Sequence, residues 1–268
     1  MKFSPVALDD LNAIRALQPE GWPDIVVDFE KYIHFEFCYP QKLLLGDRTI
    51  AVGCAIVFED SAWLAHIIVS EAFRKKGYGH KMVSHLLDMI RVRGIGRVSL
   101  VATSMGAPVY ARNGFLEITN YTLWTGESTL NSECGHSPNI CSFTDAFRSQ
   151  VLDLDRHISG ENRAPLITHY LADSYLYLDN KKVTGVFLPS LGQGFIGAST
   201  AEAGMELLKL KLSASNYVVL PSENHAAVQF LAHNGFEQQD KVFKRMSLGE
   251  SVPWKAGGIF ARIGGNYG

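Results

Sequence analysis

Long apolar runs are missing from this sequence: no stretch approaches the ~20 uninterrupted apolar residues of a membrane-spanning helix. A dominant charge is missing too. Twenty-five Lys and Arg stand against 27 Asp and Glu, a formal net charge of -2, so no overall basic field points to nucleic acid. The opening MKFSPVALDD lacks a charged-then-apolar leader layout, which makes the cytoplasm the expected compartment. Cysteine is scarce. Cys38 and Cys54 sit in apolar runs and read as reduced core residues, whereas Cys134, His136 and Cys141 make only three irregularly spaced ligands, so no metal is expected. With 47% apolar and 19% charged residues the chain is ordinary globular material, and 268 residues suit two modest domains or one large one.

What is present centres on residues 62–93. An apolar, β-branched run at 62–69 reads as a buried strand, then comes Arg74-Lys75-Lys76-Gly77-Tyr78-Gly79, then an amphipathic helix with Val83, Leu86, Leu87 and Ile90 on one face. Glycines at the start of a helix let the backbone turn tightly and aim successive N–H groups at an anion, and three basic residues add charge. The spacing is neither a Walker loop, which needs Gly-Lys-Ser/Thr, nor a dinucleotide fingerprint, which needs a third glycine.

The surrounding elements read as a mixed sheet. Residues 3–6 suggest a first strand, Asp9 or Asp10 can cap a helix running to about residue 18, and a second helical stretch covers 24–37. Aromatic residues crowd that stretch: Trp22, Phe29, Tyr32, Phe35 and Phe37, read mainly as core and in part as the lining of a pocket. Strands at 42–45, 50–58 and 62–69 are joined by turns short enough for a meander. After the helix come a strand at 97–103 and a short helix ending in Tyr110-Ala111-Arg112-Asn113-Gly114-Phe115. A strand at 115–124 closes the series.

R-x-x-G-x-G at 74–79 followed by Y-x-x-x-G-F at 110–115 resembles the GNAT superfamily of N-acyltransferases, in motif order, separation and placement on elements, across roughly residues 3–125. The resemblance implies that the loop amides of Lys75, Lys76, Gly77, Tyr78 and Gly79, with positive charge from Arg74, Lys75 and Lys76, hold the pyrophosphate of acetyl-CoA, the acyl donor. It also implies that the pantetheine runs along Ile67, Ile68 and Val69. Tyr110 is the implied acid for the departing thiolate, and His66, an imidazole titrating near neutrality on the same strand, is a candidate base. Glu30 and Glu36 are weaker candidates for that base.

The second half repeats the pattern without its chemistry. A charged helical region at 153–174 leads to a hairpin at 174–188, a helix at 200–212, a strand at 218–220, and Asn234-Gly235-Phe236 before a strand at 241–248. That ending repeats Asn113-Gly114-Phe115, which points to an internal duplication. Leu231 stands where the first half has Tyr110, and the glycines at 192–197 carry no basic residue and read as a tight strand-to-helix connection.

The expectation is therefore an α/β protein with a mixed sheet: two tandem GNAT-like domains, acetyl-CoA-binding at 1–126, a linker at 127–141, and a degenerate domain at 142–268. The degenerate domain would shape the acceptor site or a homodimer contact. The expected activity is transfer of an acetyl group to a primary amine, preferably of a small molecule, by direct attack in a ternary complex. No nucleic acid or membrane partner is expected. A non-catalytic acyl-CoA sensor is the alternative reading.

Overall fold

The computed structural model of this chain describes residues 1–127, 137–250 and 253–268. Most of the expected linker, including Cys134 and His136, lies outside the described residues. The described residues form two compact units. The first holds Met1–Glu117, a short stretch beginning at Met246, and Gly265–Tyr267; the second holds Ile118–Arg245 and the stretch ending at Gly264, together with Gly268.

The first unit runs β1 (Lys2–Pro5), α1 (Leu11–Arg15), α2 (Ile25–His34), β2 (Cys38–Leu45), β3 (Arg48–Val57), β4 (Ala62–Val69), α3 (Tyr78–Val92), β5 (Val98–Ala102) and α4 (Ala107–Ala111), and contains the first residues of β6 (Leu116–Thr125). The pairs β1·β2, β2·β3 and β3·β4 are antiparallel, and β4·β5 is parallel. The α3 face expected from the sequence is buried, with Met82 added to Val83, Leu86, Leu87 and Ile90. It packs on Ala51, Ala55, Leu64 and Leu100 of the sheet.

Two boundaries differ from expectation. Helix α2, capped by the Asp24 carboxylate on the Val26 N–H at 3.0 Å, ends at His34, where Phe35 turns extended. Strand β2 begins at Cys38, before Pro40, because the Pro40 carbonyl accepts from the Val6 N–H and the residue pairs opposite Cys54. A proline in a strand loses only its donor.

The second unit contains β7 (Ile140–Ser142), α5 (Arg148–Ser159), α6 (Ala164–Ile167), β8 (Tyr175–Asp179), β9 (Lys182–Leu188), β10 (Phe195–Ala198), α7 (Ala201–Leu212), β11 (Tyr217–Pro221), α8 (His225–His233), most of β12 (Glu237–Leu248) and β13 (Ile259–Ala261). Its sheet runs β13-β10-β9-β8-β7, antiparallel throughout, and β6 pairs antiparallel with β11. The glycine stretch at 192–197 is not the strand-to-helix connection. Its last three residues are in β10, and the chain enters α7 through Ser199 and Thr200. The buried face of α7 includes Ala203, Leu207, Leu208 and Leu212, with Ala201 exposed and Met205 half-buried. A side chain on Gly204 would meet the Phe260 ring at 2.1 Å, so the helix approaches β13 at that glycine.

Among the described residues no helix is long and apolar enough to cross a membrane.

Candidate active site

Strand β4 and strand β5 pair only at Ala62–Val98 and Trp63–Ser99. Beyond Trp63 the parallel ladder stops, so the β5-facing edge of β4, which includes Ile67, Ile68 and Val69, continues without a β5 partner among the described residues. An unpaired strand edge presents N–H and C=O groups that seek a ligand or another strand.

The same strand is bulged. Val52 pairs with Ile68 and Cys54 with Ala65, so Gly53 faces two residues, His66 and Ile67. His66 takes φ +49°, a left-handed value uncommon outside glycine and of the kind that costs of order 1–3 kcal/mol, concentrated at functional sites. Gly53 leaves room for the Ile67 side chain here, because a Cβ would lie 2.7 Å from Ile67 Cδ1 and push it aside. Ile67 thereby packs toward Met82 and Leu86 of α3, and His66 projects toward α2.

Past β4 the chain makes one turn of 3-10 helix at Glu71–Phe73 and then the basic glycine loop. The Arg74 Nε donates to the Val69 carbonyl at 3.2 Å, and the Lys76 Nζ to the Ala72 carbonyl at 2.9 Å. Both side chains, with Lys75, remain exposed, so their charge lies at the surface. Gly77, at φ +82°, is the N-cap of α3, and no side chain caps that helix. The first N–H groups of an α-helix have no acceptor within the helix. Gly77, Tyr78 and Gly79 thus present amides at the positive end of the macrodipole, beside the end of β4. A Cβ on Gly79 would lie 3.7 Å from Val69 and 3.8 Å from Val109 of α4, which locates the three segments together.

Tyr110 sits on α4, its ring edge-on to Phe115 at 6.0 Å between centroids. Burial pushes its phenol well above the ordinary range, so it stays protonated at any working pH. Glu30 and Glu36 are exposed.

His66 is enclosed by groups that its own strand does not supply. Its Nδ1 lies 2.8 Å from the Tyr32 hydroxyl, and its Nε2 lies 3.5 Å from Asp28 Oδ2. Asn266 Nδ2 contacts the same Tyr32 hydroxyl at 3.0 Å and Asp28 Oδ1 at 3.5 Å. Burial lowers the His66 proton affinity against the opposing pull of Asp28. Burial also raises the Tyr32 phenol, with Tyr267 and Asp28 adding to it. Asp28 and Tyr32 fall at i and i+4 on α2, a spacing that could have marked them as one face. Asn266 carried no sequence signal.

The second unit answers the same topology differently. Its strand–helix–strand segment β10-α7-β11 corresponds in order to β4-α3-β5, but β13 pairs with β10 and the Arg262 N–H donates to the Val219 carbonyl of β11 at 2.8 Å. Residues 259–262 thus lie between β10 and β11, where the first unit has an open edge. The N-terminus of α7 is closed as well, because the Thr200 hydroxyl accepts from the Ala203 N–H at 3.2 Å.

Comparison with known proteins matches residues 9–115 to the model of the acetyltransferase (GNAT) family. Over 81 residues the chain is 32% identical to the [ribosomal protein bS18]-alanine N-acetyltransferase of Salmonella typhimurium, a match spanning 29% of this chain and 55% of that relative. The fold of the whole chain is similar to a crystal structure described as a candidate acetyltransferase from Pyrococcus horikoshii. There the TM-score is 0.83 at 17% identity, covering 100% of this chain and 95% of that one. It is also similar to a tandem GNAT protein from the clavulanic acid biosynthesis pathway, with a TM-score of 0.62 at 13% identity, covering 93% of this chain and 99% of that one. Residues 9–115 of this chain thus match the acetyltransferase (GNAT) family model, and its two α/β units share the fold of a tandem GNAT protein.

Proposed function

We propose that the first unit is an acetyl-CoA-dependent N-acetyltransferase that modifies a primary amine, preferably of a small molecule, by direct attack in a ternary complex. The observation that carries this reading is the open edge of β4 ending beside the uncapped N-terminus of α3. A long donor with an amide-bearing arm and a pyrophosphate needs those two features, next to each other and in that order. The residues fit the group. The amides from Lys75 to Gly79 would take the pyrophosphate, with Arg74, Lys75 and Lys76 adding charge, and the edge at Ile67, Ile68 and Val69 would pair with the arm.

Bound there, acetyl-CoA supplies an activated thioester carbonyl. Backbone N–H groups of β4 at the bulge are the nearest donors for the oxygen on which charge develops. The new C–N bond forms as the C–S bond breaks, and Tyr110, held protonated by burial, delivers its proton to the leaving sulfur. His66 fits the role of base less well than the sequence suggests, because both of its ring nitrogens face partners. A water molecule would then take the amine proton.

Calorimetric titration of acetyl-CoA tests the reading. One site per chain, lost in a Lys76→Glu/Gly77→Asp double variant, together with amine-dependent thiol release, is the expected result. No binding to the wild type would sink it.

A further inference from the structure

Asp28, Tyr32, His66 and Asn266 form one hydrogen-bonded chain whose donor and acceptor roles are fixed by its only charged member. A carboxylate accepts and cannot donate. Asn266 must therefore turn its NH2 toward Asp28, and that same nitrogen reaches the Tyr32 oxygen at 3.0 Å. His66 Nε2 faces the Asp28 carboxylate, which only accepts, so Nε2 carries the ring proton and Nδ1 accepts from the Tyr32 hydroxyl at 2.8 Å. In that neutral ring Nε2 lies 3.5 Å from Asp28 Oδ2. Tyr32 is fully buried, and the His66 side chain retains 13% of its surface. The chain of bonds emerges at Asp28, whose side chain is one-third exposed, at 33%.

That carboxylate has acceptor capacity to spare. An ionised carboxylate offers about four lone-pair sites, and only one His66 and one Asn266 hydrogen face it. No lysine or arginine among the described residues forms an ion pair with it. An aromatic ring flanks the same histidine. Trp22 is 40% exposed, and its ring lies 6.1 Å from the His66 ring, edge to face. Its loop is fastened by Gln18, whose Nε2 donates to the carbonyls of Trp22 at 2.9 Å and Pro23 at 2.7 Å, while its Oε1 accepts from the Ile25 N–H at 3.0 Å. A partly exposed indole and a partly solvated carboxylate about one histidine supply the two elements that bind organic ammonium groups, a ring face and a charge.

We propose that Asp28, together with the Trp22 indole, is the ammonium-binding subsite that selects a cationic alkylamine as the acceptor. The inference rests on the acetyl-transfer reading, because His66, the residue that links Asp28 to β4, directly precedes the proposed donor edge at Ile67. Asp28 touches the acceptor. Tyr32, His66 and Asn266 are positioning residues, which hold the carboxylate's orientation; the bound ammonium loses a proton to water before its nitrogen attacks. The selected class is a small molecule carrying a protonated primary amine on an aliphatic carbon; a primary arylamine, neutral at the same pH, offers Asp28 N–H donors but no charge.

The test uses full-length protein, acetyl-CoA, and two acceptors of similar size, 2-phenylethylamine and aniline, with thiol release as readout and calorimetry for donor affinity. The wild type is expected to favour 2-phenylethylamine, including the case in which aniline is not turned over at all. Asp28→Asn, which keeps the shape and can still accept from Asn266, is expected to raise KM for 2-phenylethylamine by about ten- to a hundredfold, the scale of one charge-assisted contact. It should leave the acetyl-CoA Kd within about twofold of wild type, and Asp28→Glu is expected to recover part of the loss. An unchanged KM in Asp28→Asn overturns the proposal, as does an equal loss for aniline. So does a wild type that binds acetyl-CoA but acetylates no alkylamine. Failure to bind acetyl-CoA is a different result, and it removes the donor site itself.

Discussion

The Tyr32 hydroxyl and His66 Nδ1 lie 2.8 Å apart, joining the last turn of α2 to the bulge in β4. This bond occupies the lone pair that a histidine base would need. It also explains how a left-handed His66 at φ +49° is held, since the ring is fixed by a partner on another element.

Stability should depend on pH through His66. Burial lowers the imidazole's proton affinity in the folded chain, with Asp28 opposing. A group lowered on folding favours the native state above its ordinary pKa of ~6.5, and that contribution is lost as the pH falls through and below it. The groups facing His66 are Asp28, Tyr32 and the rings of Phe29 and Trp22. Thermal melts from about pH 7.5 to about pH 5.5 should show a falling Tm in the wild type and a shallower fall in His66→Gln. Parallel slopes would exclude His66 as the source.

Tyr110→Phe should separate chemistry from donor binding. The expected result is a fall in kcat of about a hundredfold or more, the usual contribution of a positioned acid, with the acetyl-CoA Kd nearly unchanged. Because burial raises the phenol, the wild-type rate should show no loss assignable to Tyr110 ionisation below ~pH 10. An unaltered kcat would remove Tyr110 from the mechanism.

Gly77→Asp attacks the anion site twice. The residue sits at φ +82° with open space around its Cα, so an added side chain meets no atoms, and its intrinsic cost is backbone strain of about 1–2 kcal/mol. The new carboxylate would also stand at the α3 N-terminus, facing the donor's phosphates, where like charges cost several kcal/mol. Calorimetry should find acetyl-CoA affinity reduced by at least about a hundredfold, whereas Gly77→Ala should show the strain alone.

The second unit should bind no acyl-CoA, because the chain's own residues 259–262 lie between β10 and β11. Phe260 is fully buried, and its ring sits against Gly204 of α7. Phe260→Ala is expected to destabilise the unit by about 3–5 kcal/mol, as large-to-small changes in a packed core do. Chemical denaturation measures the loss, and donor stoichiometry should remain one per chain. A second site appearing in the variant would show the strand to be a removable plug.

The sequence by itself determined the elements of the donor site. Local patterns sufficed for them: an apolar run for β4, glycines and basic residues for the loop, a 3.6-residue stripe for α3, and Tyr110 on a short helix ending in Asn-Gly. Repetition of Asn-Gly-Phe likewise announced a second unit of the same kind. What tertiary structure decided was everything that depends on pairing between distant segments. No local pattern could say that β5 leaves β4 after two residues, or that Ile259–Ala261 fills the corresponding place in the second unit. Nor could it bring Asn266 to Tyr32 across 234 positions. A lone histidine on an apolar strand reads from its own chemistry as either a satisfied structural residue or a base. Its role narrows once a buried tyrosine donates to it and a carboxylate faces its other nitrogen, because hydrogen-bond capacity is set by neighbours and not by residue type.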